Sequence, residues 1–302
     1  MDYYYILFTI ITFSTLEVTG KLIGASISPY AITVSRFLIG GLFILPFAIS
    51  YKRKNKMHFK LKDYMRLSVP GIINVCISMM FLQLAIYYGE ANICAILISA
   101  NSIFVAIFAG LIFKEKITKI KVASMFLGLC GITLIILNQH TASADAINPT
   151  LGIIFGSLSS ITFALYTVIS KKYIKHYGNL ITNSYSFIIG SIILLVISLC
   201  NHKDMSFCLN TRNLLFIGYL GIFISGIAYL SYFEGLKRVS ATIGSMFFFL
   251  KPVIVAILAY LIFGETLNTI QIIGIIIVIA GLNLDFLKPI PARIHNRIRN
   301  FH

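Results

Sequence analysis

Apolar residues fill this chain in long, unbroken runs and do not alternate with polar ones. Ten runs are long enough to cross a bilayer, which takes roughly 20 residues per helix. They lie at 3–20, 31–50, 67–88, 92–113, 119–138, 151–170, 181–200, 213–234, 240–263 and 268–287. The alternation of polar and apolar residues that is typical of a closed β-barrel is missing from them. Helices are the remaining structure that satisfies its own backbone hydrogen bonds in lipid. The pattern predicts an all-α membrane protein with ten transmembrane helices.

Composition agrees with that prediction. Of 302 residues, 58% are hydrophobic and 12% are charged, and a soluble core of this size could not hide so much apolar surface. An ordinary cytosolic enzyme, a disordered chain and a secreted disulfide scaffold are all excluded on this ground. The net charge of +15 would suggest nucleic acid in a soluble protein. Here the basic residues lie between apolar runs and no nucleic-acid-binding motif accompanies them, so we expect no nucleic-acid partner.

The sequence also repeats itself. Shifted by 150 residues, the two halves align from about residue 12 to residue 134 without a gap. Lys21 falls on Lys171, Gly40 on Gly190, and Gly71 on Gly221. Between 103–115 and 253–265, eight of thirteen positions are identical, ending in Glu115 and Glu265. Each repeat holds five spans, and an odd number forces the second repeat to insert upside down, as in many secondary transporters.

Positive charge supports the inversion. With the N-terminus in the cytoplasm, twenty Lys and Arg lie in inner loops and the tail, and three lie in outer loops. This is the positive-inside bias of membrane proteins, and it predicts cytoplasmic termini in the cell membrane with anionic lipid attracted to the inner face. We therefore divide the chain into a first repeat (1–138), an outer linker (139–150), a second repeat (151–287) and a basic cytoplasmic tail (288–302).

Several short motifs give a family resemblance over about 3–287. They are Lys21, the step Ser28-Pro29, Arg36 within 34–38, the run from Lys251-Pro252 through 263–267, and Gln271 with Gly274. Together with the repeat, the chain resembles the drug/metabolite transporter superfamily, specifically its EamA-like ten-helix members. The resemblance implies ATP-independent export of small metabolites, often amino acids or amphipathic compounds. The chain departs from the family where Phe13 replaces a usual Trp and where Lys251 precedes the proline, so the substrate is not carried over.

Polar residues inside the spans are the candidates for substrate binding, because a charge near the bilayer centre is costly. Lys251 lies near the middle of the ninth span beside Pro252, whose ring frees a carbonyl about one turn earlier. A cation beside a broken helix suits a substrate carboxylate; the alternative is a structural lysine bonded to nearby carbonyls. The repeat maps Lys251 onto Asn101 in the fourth span. The full set of candidates is Lys251, Asn101, Ser102, Pro252, Tyr166, Tyr229 and Tyr232.

Glu17 and Arg36 form a second constellation near the outer ends of the first two spans. They are candidates for a gate or for ion coupling, with the proton as a candidate coupling ion. The alternative is a structural ion pair between adjacent helices, or an i,i+4 pair of Glu17 with Lys21. Glu115, Glu265, Thr118 and Asn268 are interpreted as turn and helix-capping residues after the fourth and ninth spans.

The leading functional hypothesis is a secondary carrier that exports a small metabolite by alternating access, and not an enzyme. The alternatives are a nucleotide-sugar or lipid-intermediate flippase of the same fold and, from another class, a membrane-embedded enzyme. No catalytic motif, metal-ligand cluster, cofactor-binding signature or nucleotide-binding Walker motif is present in the sequence.

Overall fold

The computed structural model describes residues 3–23, 26–89, 97–115, 117–137, 147–263 and 269–286. Within these residues the chain folds into ten consecutive helices, which confirms the all-helical prediction. They are α1 Tyr4–Ile23, α2 Pro29–Lys54, α3 Leu61–Tyr88, α4 Asn101–Phe113, α5 Lys119–Leu137, α6 Pro149–Tyr177, α7 Asn179–Cys200, α8 Thr211–Arg238, α9 (Ala241–Met246, Phe247–Phe249 and Leu250–Phe263) and α10 Thr269–Phe286.

Five of these helices, α2, α3, α6, α7 and α8, are long and apolar enough to cross a membrane, and shorter apolar helices accompany them in the described residues. The long helices run past their apolar cores by one or two turns. α2, for example, begins at Pro29 behind the N-cap Ser28 and ends in three basic residues, 52–54. Polar side chains at such helix ends reach the membrane–water interface. The helix therefore continues beyond the apolar run.

The loops gather at two opposite ends of the bundle. At one end Tyr177 Oη donates to Asp63 Oδ1 (2.8 Å) and Lys171 Nζ donates to the carbonyl of Val239 (2.9 Å). At the other end, Ile27 and Phe207 form an antiparallel bridge. Ten helices that cross in alternating directions produce this grouping. Which end faces the cytoplasm remains a prediction from the charge count.

The matching glycines of the two repeats allow two similar helix crossings. A Cβ atom on Gly40 of α2 would lie 2.8 Å from the carbonyl oxygen of Gly221 in α8. A Cβ atom on Gly190 of α7 would lie 2.7 Å from the carbonyl oxygen of Gly71 in α3. Small residues let helix backbones approach closely in membranes, where no hydrophobic force draws helices together. Each glycine pair therefore joins one repeat to the other.

α5 and α10 occupy equivalent places in the two repeats, and they pack antiparallel. A Cβ on Gly131 of α5 would meet the carbonyl of Gly274 near the start of α10. A Cβ on Gly281, near the end of α10, would lie 3.2 Å from the carbonyl oxygen of Ser124 near the start of α5. The starts of these two helices therefore lie at opposite ends of the pair.

Two stretches of π-helix interrupt equivalent helices. They are Ile72–Met79 within α3 and Leu220–Ala228 within α8. The sequence does not predict this winding, although the aligned glycines Gly71 and Gly221 each lie next to the first residue of a segment. π-Helical turns are rare and often mark functional sites. Here both segments reach the middle of the bundle.

Candidate functional site

A narrow cavity lies at the centre of the bundle, where the two repeats meet. Its volume of about 20 Å³ is close to what a single water molecule needs, so a larger molecule can bind only if the helices separate. Its walls come from six helices and from Ile98, just ahead of α4. The lining residues are Phe13, Leu16, Arg36, Met79, Leu82, Ile98, Phe163, Ile224, Tyr229, Phe248 and Lys251.

Six of the lining residues are related by the repeat. They form three pairs at the 150-residue offset: Phe13 with Phe163, Met79 with Tyr229, and Ile98 with Phe248. Phe248 stands between the first pair, with its ring centroid 6.1 Å from Phe13 and 5.6 Å from Phe163. The cavity is thus built from equivalent positions of the two halves, and three of these six side chains are phenylalanine rings that exclude water.

Lys251 reaches this cavity because α9 changes its winding just before it. The helix starts at Ala241 behind the N-cap Ser240, turns into a 3₁₀ segment over Phe247–Phe249, and resumes at Leu250. This irregular segment lies about one turn before Pro252, where the proline was expected to free a carbonyl. Lys251 itself is only 2% exposed. It lines the cavity, which a substrate-binding residue must do.

Arg36 lines the same cavity from α2, although its sequence position predicted a place near the outer end of the bundle. Its side chain is 1% exposed, and the guanidinium carbon lies 4.7 Å from the ring centroid of Phe37. The sequence placed Arg36 in an outer constellation with Glu17, whose side chain lies outside the described residues. One signal was available: Arg36 stands one turn before Gly40, which marks the face of α2 that meets the other repeat.

Tyr229 lines the cavity and lies at the centre of an aromatic cluster that extends from the cavity wall into the bundle. Its ring is 5.1 Å from Phe13, 5.7 Å from Phe37 and 5.1 Å from Phe187, measured between centroids. Phe37 and Phe187 are themselves equivalent in the repeat and stand 5.0 Å apart. Edge-on arrangements of this kind hold aromatic rings in fixed relative positions. Tyr229 therefore connects a lining ring to the packed interior.

The other candidates are buried but do not line the cavity. Tyr166 packs against Tyr229 and Phe233, and Tyr232 packs against Phe248. Three more polar or proline candidates, Asn101, Ser102 and Pro252, are buried elsewhere in α4 and α9. Both amide atoms of Asn101 are buried without a hydrogen-bond partner among the described residues. The repeat thus matches Lys251 with Asn101 in sequence, but only Lys251 lines the cavity.

Glu115 does more than close a turn. It follows α4 after Lys114, which adopts a left-handed backbone (φ 55°). Its carboxylate accepts hydrogen bonds from the backbone N–H of Ala241 (3.1 Å) and from Thr242 Oγ1 (2.9 Å). A carboxylate at the start of a helix satisfies N–H groups that have no partner within that helix. Glu115 of the first repeat therefore caps α9 of the second.

Lys171 completes this contact. Its ammonium donates to the carbonyl of Val239 at 2.9 Å and lies 4.0 Å from a Glu115 carboxylate oxygen. The three elements that meet here are the end of α4, the end of α6 and the start of α9. Among the other turn residues, Thr118 Oγ1 accepts from the backbone N–H of Lys121 (3.4 Å), whereas Glu265 and Asn268 lie outside the described residues.

The described residues contain no group of three or more His, Cys, Asp or Glu side chains that could hold a metal ion. A bundle of apolar helices around a central cavity with two buried cations defines a multi-pass membrane protein with a polar site at its core. A family model settles the class: the EamA-like transporter family matches residues 2–137 and again 150–284. The chain belongs to this family.

Relatives agree with the family, and a solved structure has the same fold. An uncharacterised transporter of Clostridium kluyveri is 34% identical over 94% of this chain and 92% of its own length. An uncharacterised transporter of Bacillus subtilis, YyaM, is 27% identical over 91% of this chain and 90% of its own length. A crystal structure with 15% sequence identity has a TM-score of 0.78 and covers 99% of both chains, which shows the same fold. The protein is therefore a membrane transporter by family.

Proposed function

We propose that this protein is a secondary carrier that exports a small amphipathic metabolite bearing a carboxylate, amino acids among them. The observation that carries the proposal is that Arg36 and Lys251 line one cavity at the seam of the two repeats. A buried charge is expensive in a membrane protein, and such charges usually mark a substrate or ion pathway.

The lining residues suit a small amphipathic anion better than a nucleotide sugar or a lipid intermediate. Nine of the eleven lining residues are aliphatic, Met, Phe or Tyr side chains, and two are cations. An anionic group would bind at the cations, where the low dielectric strengthens the attraction, and a small apolar body would pack against the rings. A nucleotide sugar or a lipid intermediate carries many more polar groups than these walls can satisfy. The lining therefore favours the small metabolite over the flippase alternative.

Transport by alternating access follows from the same architecture. Two repeats inserted in opposite orientations can rock about a central site and expose it to each side in turn. The antiparallel packing of α5 and α10 and the two glycine crossings support this arrangement. At the loop end that the charge count assigns to the cytoplasm, the contact of Glu115 with Thr242 joins the repeats. We propose that this contact breaks when the cavity opens to the cytoplasm, and that Glu17 is a candidate proton carrier for coupling.

The test measures uptake of labelled amino acids and of small amphipathic carboxylates into everted membrane vesicles, where export appears as uptake. Lys251→Ala should lower the initial rate about a hundredfold, because truncating one partner of a desolvated charged contact costs roughly 2–5 kcal/mol. Lys251→Arg keeps the charge and should retain part of the rate.

Lys203→Ala is the matched control, since this lysine is exposed in the loop between α7 and α8, and it should transport like wild type. Thermal unfolding in detergent shows whether each variant is folded. A folded Lys251→Ala protein with the wild-type rate would refute the proposed anion seat. Dissipating the proton gradient should stop uptake if protons drive export.

A further inference from the structure

A second, larger cavity lies at the loop end of the bundle that the charge count assigns to the cytoplasm. Its volume is about 520 Å³, and it lies where α2 ends beside α7. Four of its seven lining residues are basic or histidine, one is tyrosine and two are apolar. They are Ile49, Lys52, Arg53, Lys56, Met57, His58 and Tyr185. Five of these seven side chains can donate hydrogen bonds, which is the chemistry of an anion site.

Aromatic contacts hold the ammonium of Lys52 in place. The ammonium of Lys52 lies 4.3 Å from the ring centroid of Phe59 and 5.8 Å from that of Tyr64. The backbone N–H of Met57 donates to the carbonyl of Lys52 at 3.0 Å, which closes the turn. A cation held over aromatic rings keeps its position and still presents charge to a ligand. The protein therefore sets the position of Lys52 and closes the turn that carries the other cations before an anion binds.

The carboxylate of Asp63, at the start of α3, is held by contacts outside this pocket. One oxygen of Asp63 accepts the backbone N–H of Lys60 (2.9 Å), and the other accepts Tyr177 Oη (2.8 Å). Asp63 also lies 3.9 Å from Arg66. Its charge thus serves the start of α3 and the neighbouring Tyr177 and Arg66, and Asp63 does not line the pocket.

The two helices that flank the pocket continue toward the middle of the bundle with apolar, exposed side chains. Leu42 precedes Ile49 by seven residues on α2 and is 49% exposed. Ile192 follows Tyr185 by seven residues on α7 and is 51% exposed. Residues seven apart lie on one face of a helix. A charged pocket at the helix ends thus stands above an apolar surface that faces lipid.

We propose that this pocket binds the phosphate headgroup of an anionic phospholipid of the cytoplasmic leaflet, with its acyl chains along the exposed apolar faces of α2 and α7. Charge complementarity selects an anion, and the apolar surface below it selects a lipid over a soluble phosphate. Basic pockets between transmembrane helices on the cytoplasmic side bind such headgroups in general. The proposal rests on the membrane orientation proposed above and goes beyond diffuse attraction, because it assigns a defined site to three named cations.

The experiment compares two triple variants that remove equal charge from the same segment. Lys52→Gln with Arg53→Gln and Lys56→Gln empties the pocket of its cations. Lys54→Gln with Lys60→Gln and Lys62→Gln removes three exposed cations that do not line it. Each purified full-length protein is titrated with phosphatidylglycerol and with phosphatidylcholine in detergent, and bound lipid is counted by native mass spectrometry.

Wild type and the control triple should bind phosphatidylglycerol in preference to phosphatidylcholine, with affinities within about twofold of each other. The pocket triple should bind phosphatidylglycerol at least tenfold more weakly, which is about 1.4 kcal/mol. Equal losses in both triples, or no preference for the anionic lipid in wild type, would overturn the site.

Inorganic phosphate in place of lipid distinguishes the two sources of a phosphate group. If it stabilises wild type as strongly as the lipid does and the pocket triple abolishes that effect, the pocket takes free phosphate and the lipid assignment is wrong. Lipid binding is measured without transport, so failure of this proposal and failure of the proposed carrier function are separate results.

Discussion

Buried or half-buried cations occur in two different settings in this protein. Arg36 and Lys251 lie in the centre, and their side chains line a cavity between the repeats. Lys171 lies near the end of α6, and its ammonium is held by a carbonyl at 2.9 Å and a carboxylate at 4.0 Å. Arg36 and Lys251 are almost fully buried and line the central cavity, whereas the side chain of Lys171 is 24% exposed and contacts protein groups.

The difference distinguishes a structural contact from the proposed binding site. Lys171 and Glu115 satisfy protein groups whose positions are fixed by the ends of three helices. Desolvation is offset there by hydrogen bonds to the protein itself. Arg36 and Lys251 line a central cavity whose other walls are mostly apolar, and under the proposed function a substrate anion binds there. Substitutions of Lys171 or Glu115 should mainly change stability, and substitutions of Arg36 or Lys251 should mainly change transport.

Arg36→Ala offers the largest expected effect and tests the central cavity. We expect the initial rate of export to fall about a hundredfold, or about 2.8 kcal/mol, because Arg36 lines the same narrow space as Lys251. Arg36→Lys keeps the charge without the planar fork of donors and should retain an intermediate rate.

The matched control for this substitution is Arg238→Ala, an exposed arginine whose guanidinium lies over the Tyr5 ring at 5.0 Å. It should export at the wild-type rate. If Arg36→Ala lost stability but exported normally per folded molecule, then Arg36 would belong with Lys171 and the contrast between the two settings would fail.

The bundle itself was predictable because its signals are local. Runs of apolar residues gave the ten helices to within a turn or two at most ends, and α2 ran past its predicted limit of 50 to Lys54. The glycines that match at the 150-residue offset have a visible purpose, since Gly40 meets Gly221 and Gly190 meets Gly71. Lys251 was singled out as a candidate because a charge in an apolar run is conspicuous, and it lines the central cavity.

The rest depends on contacts that sequence spacing does not encode. Glu115 bonds Thr242, which is 127 residues away, and nothing near either residue indicates the other. The π-helical winding of α3 and α8 arises within ordinary apolar sequence. Arg36 was assigned to the outer end because it lies near the start of the second span. That position does not show which face of the helix meets the other repeat.

Glu115→Ala tests the structural contact and should destabilise the folded protein by about 2 kcal/mol. The substitution removes the acceptor of the backbone N–H groups of Ala241 (3.1 Å) and Thr242 (3.4 Å), and it removes the carboxylate beside Lys171. The free energy of unfolding can be measured by titration with SDS in mixed micelles. Glu234→Ala removes an exposed carboxylate that pairs with Lys237 at 2.7 Å. As the control it should change that free energy by no more than about 0.5 kcal/mol. Equal values for the two variants would contradict the role assigned to Glu115.

Lys171→Met should cost less, about 1 kcal/mol in the same titration. The apolar stem of methionine fills much of the space of lysine, and the side chain of Lys171 is 24% exposed, so solvent screens part of its attraction to Glu115. Glu115 still caps α9 in this variant. A loss as large as that of Glu115→Ala would mean that the ion pair, and not the cap, holds the two repeats together at this end.

Thr242→Val has the smallest expected effect and isolates a single hydrogen bond of the contact. Valine matches threonine in shape but lacks the hydroxyl that donates to Glu115 at 2.9 Å, and one such bond is worth about 0.5–1.5 kcal/mol. We expect a loss near the lower end of that range, because the backbone N–H of Ala241 still donates to the carboxylate. Thr162→Val removes a hydroxyl that bonds only within α6, to the carbonyls of Leu158 and Ser159, and should be neutral. If both variants unfold at the same SDS concentration as wild type, the hydroxyl of Thr242 adds nothing, and the contact between the repeats depends on the helix cap alone.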